Sequence, residues 1–78
     1  MPHPRVEANP KVMLGKPVIR GTRIPVEIIV RKLAEGAAIA EVLTDYPQLS
    51  EEDVRAALAF AADSLSTDEI LPLAEANE

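Results

Sequence analysis

The stretch Gly15-Lys16-Pro17-Val18-Ile19-Arg20-Gly21-Thr22-Arg23-Ile24-Pro25-Val26 constrains this chain more than any other. Two prolines and two glycines so close together rule out a helix interior, because proline lacks the amide and glycine loses too much backbone entropy there. The apolar residues Val18, Ile19, Ile24 and Val26 suit short extended pieces joined by tight turns. Gly15 and Gly21 sit where a turn can take positive φ at little steric cost. The stretch reads as a small hairpin-like segment that closes on itself and feeds a helix. Everything after Val26 reads as helical.

Val26, Ile29, Val30 and Leu33 fall on one face of a helix that begins near Val26 and stops at Gly36. Glu27 in its first turn and Arg31 and Lys32 near its end complement the helix dipole. A short second helix runs from about Ala38 to Asp45, with Ile39, Val42, Leu43 and Tyr46 facing inward. Pro47 ends it by disfavouring helical geometry at Tyr46. The third helix has the sharpest start, Ser50-Glu51-Glu52-Asp53, a cap followed by a carboxylate three residues on. Its expected inward face is Val54, Ala57, Leu58, Ala61 and Leu65, with Ala56, Ala59 and Phe60 as a second strip. That second strip is a candidate dimer surface; the alternative is that Phe60 covers the hairpin of its own chain.

A 78-residue chain makes one small domain that buries only about 60% of its unfolded surface. It has no cysteine and one histidine, so neither disulfides nor a zinc site of its own can staple it, and a homodimer is expected. The start of the sequence has no signal-peptide core and no run is long enough to span a membrane, so a cytoplasmic location is expected. Residues 1–32 carry a balance of +5 and residues 33–78 one of −10, which together give the net charge of −5. A basic half can face an anion and an acidic half a basic partner. The sequence divides into an extended arm over residues 1–11, a hairpin and three-helix domain over 12–64, and an acidic tail or short helix over 65–78. The arm offers only Val6 for strand pairing, and neither His3 nor Arg5 is expected to have a functional role.

Catalysis finds little to work with. There is no cysteine, His3 lies in the arm, and Gly15-Lys16-Pro17 lacks the spacing of a phosphate-binding loop. No enzyme, cofactor or metal site is expected. The second and third helices have the layout of a helix-turn-helix, yet the third opens on three acids that would face phosphates. Any DNA contact therefore falls to the front half, with Lys16, Arg20, Thr22, Arg23, Arg31 and Lys32 as candidates. For Arg20 to Arg23 a structural reading stands beside the anion-binding one: Gly21 makes the turn and Arg23 pairs with Asp53 or Asp63.

The run from Gly15 to Val26, the ten-residue spacing to Gly36, then Asp45-Tyr46-Pro47-Gln48-Leu49-Ser50-Glu51-Glu52-Asp53-Val54 and Ala56-Ala57-Leu58-Ala59, resembles the domain-of-unknown-function 433 family. The resemblance runs from about Met13 to Asp63. It departs from the family at Ala38, where members often carry a Ser or Thr cap. The resemblance implies a mainly α fold, a trihelical homeodomain-like (helix-turn-helix) domain with a short N-terminal β-hairpin. It also implies an antitoxin of a VapBC-like pair, partnered by a PIN-like ribonuclease toxin. On that reading Asp68, Glu69, Ile70, Leu71 and Leu73 are the candidate toxin-binding residues, and the front half can bind operator DNA. The rival readings are a free-standing dimeric DNA-binding regulator and an interaction module that touches no DNA.

Overall fold

The computed structural model describes residues 3–8, 11 and 15–66. The chain runs through strands β1 (Val6–Glu7) and β2 (Val18–Ile19), then helices α1 (Val26–Ala34), α2 (Ile39–Asp45) and α3 (Glu51–Ser66). The fold is mainly helical, three helices behind a two-stranded antiparallel hairpin.

The hairpin segment closes as its prolines and glycines require. The Thr22 amide donates to the Ile19 carbonyl at 3.0 Å, with Gly21 at φ 83°. That is the third position of a tight turn, where positive φ selects glycine. The Ile19 amide then donates to the Ile24 carbonyl at 3.0 Å, and Val26 donates to the Pro17 carbonyl at 3.0 Å. On the other edge β2 pairs with β1, Val6 opposite Ile19 and Glu7 opposite Val18. The arm thus supplies a strand, with Glu7 joining Val6.

Each helix has a visible terminus. Gly36 (φ 101°) follows α1, its amide donating to Leu33 and that of Ala37 to Lys32, at 3.0 and 3.1 Å. This is a Schellman stop, which satisfies the last carbonyls of the helix. At α2 the Ala38 amide donates to Glu41 Oε1 at 2.7 Å, but the alanine has no side-chain oxygen to return the bond, so only half a capping box forms. At α3 the box is complete: Ser50 N–H donates to Asp53 Oδ2 at 3.0 Å and Asp53 N–H to Ser50 Oγ at 3.2 Å.

The core lies where β1, β2 and the three helices converge, with Val18, Ile19, Ile29, Val42 and Val54 fully enclosed. Val30, Leu33, Ile39, Leu43, Tyr46 and Phe60 pack around it. Two expectations for α3 need correcting. Leu58 is 39% and Leu65 71% exposed, although both lie on the apolar periodicity. Val54 and Ala57 define the inward line, and Phe60 rather than Leu58 continues it. The last turn, carrying Leu65, borders an open groove instead of a neighbouring element.

Candidate functional site

The basic front half is largely matched from within. Glu27 accepts from Lys16 at 3.3 Å and from Arg31 at 3.0 Å. The Arg31 bond, followed by Lys16, holds the Glu27 carboxyl below its ordinary value. Arg20 donates to the Pro4 carbonyl at 2.6 Å and to Glu7 at 3.4 Å. Lys32 donates to Asp45 at 3.0 Å, which raises the ammonium pKa, and stands 5.9 Å from the Tyr46 ring centre. Thr22 serves the turn itself, its hydroxyl donating to the Ile19 carbonyl at 2.8 Å and accepting from the Ile24 amide at 2.9 Å. Arg23 is the exposed exception, with no hydrogen bond or ion pair in the described part of the chain.

The expected pairing of Arg23 with Asp53 or Asp63 is replaced by another. Arg5 Nη1 donates to Asp53 Oδ1 at 3.0 Å, and His3 Nε2 donates to Asp63 Oδ2 at 2.8 Å. Both donors come from the arm, because pairing β1 with β2 draws residues 3–7 across α3. His3 also meets Phe60 edge-on, the ring centres 5.4 Å apart. His3 and Arg5 therefore hold the arm to the helix. Asp53 is nearly buried, its side chain 13% exposed. Burial pushes its carboxyl up, but bonds from the Ser50 amide, Arg5 and the Ser50 hydroxyl outweigh that and hold it below its ordinary value. The signal for this link was present in part: Asp53 is the capping carboxylate, and Arg5 adjoins the one strand-forming residue of the arm.

Of the candidate dimer residues, Ala59 is exposed, Ala56 half-buried, and Phe60 packs on the core and His3 of its own chain. The candidate toxin contacts Asp68, Glu69, Ile70, Leu71 and Leu73 lie outside the described residues. A feature missed by periodicity is an apolar groove of about 530 Å³ between α1 and α3, lined by Pro17, Val26, Val30, Ala34, Phe60, Ala61 and Leu65, with Glu27, Arg31 and Ser64 beside them. Among the described residues no group of three His, Cys, Asp or Glu side chains can hold a metal, and no helix is long and apolar enough to cross a membrane.

The family model described as "Protein of unknown function (DUF433)" matches residues 6–61, which span both strands, α1, α2 and α3 as far as Ala61. The chain belongs to this family. A DUF433 member from Anabaena variabilis, known from a crystal structure, is similar with a TM-score of 0.75 at 35% identity, over 81% of this chain and 62% of that one. An uncharacterized protein of Sinorhizobium fredii, y4eO, is 36% identical over 56 residues, 72% of this chain and 25% of that protein. An uncharacterized protein of Archaeoglobus fulgidus is 63% identical over 27 residues, 35% of this chain and 75% of its own length. The chain therefore spans about a quarter of the Sinorhizobium relative. The DUF433 match begins at Val6, so it includes the strand that brings Arg5 to α3.

Proposed function

We propose that this DUF433 chain is a non-catalytic, antitoxin-like protein of the cytoplasm that neutralises a PIN-like ribonuclease by occupying its surface. The three-helix domain is the platform, and Asp68, Glu69, Ile70, Leu71 and Leu73 lie across a basic nuclease cleft. The observation that carries this reading is the internal pairing of the front-half cations. Lys16, Arg20, Arg31 and Lys32 each meet a carboxylate of the same chain. Part of that pairing draws on residues 33–78, through Asp45 and Asp53, and the charge left over is the net −5, carried by the acidic half, which suits a basic partner. Glu51 and Glu52 at the exposed start of α3 work against a recognition helix and agree with the same choice.

A second reading, a homeodomain-like DNA-binding regulator, is favoured by one observation. Among the described residues Arg23 has no partner, and it is exposed directly after the hairpin turn, where a ribbon can offer its guanidinium group to a phosphate.

The test is capture from the native host with the full chain, beside a full chain carrying Ile70→Asp and Leu71→Asp. Retention of a PIN-like nuclease, with its RNA cleavage stopped by the first chain and not by the second, supports the antitoxin reading. Failure to inhibit any such nuclease, together with salt-dependent binding to duplex DNA, overturns it in favour of the regulator.

A further inference from the structure

The α1/α3 groove leaves apolar side chains facing water. Val30 and Phe60 are half-buried, Ala34 is exposed, and Leu65 at the end of its wall is 71% exposed. Apolar surface in water costs about 25 cal/mol per Å², so a cover of matching chemistry is stabilised there.

Two features of the chain identify the cover. The first is position. The α3 wall of the groove runs through Ser64 and Leu65 to Ser66, the last described residue of the helix, and the sequence continues directly with Thr67-Asp68-Glu69-Ile70-Leu71-Pro72-Leu73. Three extended residues reach about 10 Å, enough for the chain to turn back beside α3. Ile70 to Leu73 then span about 13 Å, the length of a nine-residue helix such as α1. The second is chemistry. Ile70, Leu71 and Leu73 are the large apolar residues after Leu65, and Pro72 among them has no amide to leave unsatisfied against an apolar wall. Asp68 and Glu69 precede them, and Arg31, bonded to Glu27, is the cation lining the groove.

We propose that Ile70-Leu71-Pro72-Leu73 seats in the α1/α3 groove of its own chain, with Asp68 and Glu69 turned toward Arg31. This inference stands apart from the antitoxin reading, since it concerns the chain without any partner. Where both hold, the groove and the partner compete for the same residues. The apparent affinity of the partner then falls by the fraction of chains whose tail is free.

The test is solution NMR of the full chain with labelled methyl groups. Nuclear Overhauser contacts from Ile70, Leu71 and Leu73 methyls to the Phe60 ring and the Val30 methyls are expected, unchanged on tenfold dilution. In the full chain carrying Leu71→Ser, the Phe60 and Val30 signals are expected to shift while those of Val18 and Val42 in the core stay in place. Ala61→Glu, whose folding is checked by the same core signals, is expected to abolish the contacts. Absence of the contacts in the unsubstituted chain overturns the proposal. So does their appearance only between differently labelled chains, which assigns the groove to a second copy.

Discussion

Arg5 Nη1 donates to Asp53 Oδ1 at 3.0 Å, tying the N-terminal arm to the first turn of α3 across 48 positions of sequence. The same carboxylate accepts from the Ser50 amide through its other oxygen, at 3.0 Å. One side chain thus caps a helix and anchors a strand. Asp53→Ala removes both roles at once and leaves the Ser50 amide and Arg5 without their acceptor. A lost cap costs about 1 kcal/mol and a hydrogen bond to a charged group about 1.5–3 kcal/mol. Arg5 is half exposed and water replaces part of its bond, so the expected loss is about 2 kcal/mol. Urea unfolding checks it against Glu52→Ala, whose exposed contact to Arg5 at 3.9 Å is expected to contribute less than about 0.5 kcal/mol.

The same carboxylate sets an acid limb. Asp53 is held below its ordinary value in the folded chain, so the stabilisation that comes with this shift is present above the unfolded value of about 4. It is lost as the pH falls through the depressed folded value. Asp53→Asn is expected to be less stable than the parent at pH 7 and to lose less stability between pH 7 and the acid limit. Melting temperatures taken down the pH scale test this. Parallel curves for the two proteins would remove Asp53 from the account.

Gly36 offers a test of backbone strain without steric interference. A side chain added there meets nothing within 4 Å, yet φ is +101°, a conformation that favours glycine. Gly36→Ala is therefore expected to cost about 1–2 kcal/mol through the backbone alone. Gly36→Asn is expected to cost less, because Asn tolerates positive φ better. Equal losses for the two would point to a contact rather than to strain.

Ala38 is the opposite case, a position where the chain can be improved. Glu41 already returns its half of the capping box, and Ala38 has the extended geometry of a cap, with φ −80° and ψ 157°. Ala38→Ser supplies the missing oxygen and is expected to stabilise by about 0.5–1 kcal/mol. Thermal melting of the single variant is sufficient.

Much of this architecture was legible because its cues are local. Gly36 announced the end of α1, Ser50 to Asp53 the start of α3, and Pro17, Gly21 and Pro25 the closing of the hairpin. Long-range partners were not legible. His3 meets Asp63 from 60 positions away, and no pattern near either residue encodes the other. Periodicity also put Leu58 and Leu65 on the inward face of α3 and Phe60 on a second strip, an order the structure reverses. Phe60 turned inward because the arm lays His3 against it, while Leu65 kept its exposure beside the groove. Charge counting marked the front half as basic and could not show that Glu27 lies between Lys16 and Arg31.

Arg23 separates the two functional readings at little structural cost. It is exposed and bonded to nothing in the described part of the chain, so Arg23→Glu is expected to change stability by no more than about 0.5 kcal/mol. Its neighbour Arg20 is unsuitable, because the bonds of Arg20 to Pro4 and Glu7 help hold the arm. If the turn binds a phosphate, the reversal weakens DNA binding and lowers the slope of log affinity against log salt by about 0.9 for each phosphate left unneutralised. If the chain acts through its acidic half, nuclease inhibition persists in Arg23→Glu and fails in the variant carrying Ile70→Asp and Leu71→Asp. Fluorescence anisotropy on duplex DNA across a salt series, run beside the RNA-cleavage assay, distinguishes the two. Loss of both activities in Arg23→Glu, with an unchanged melting temperature, would mean that the hairpin turn belongs to the nuclease interface.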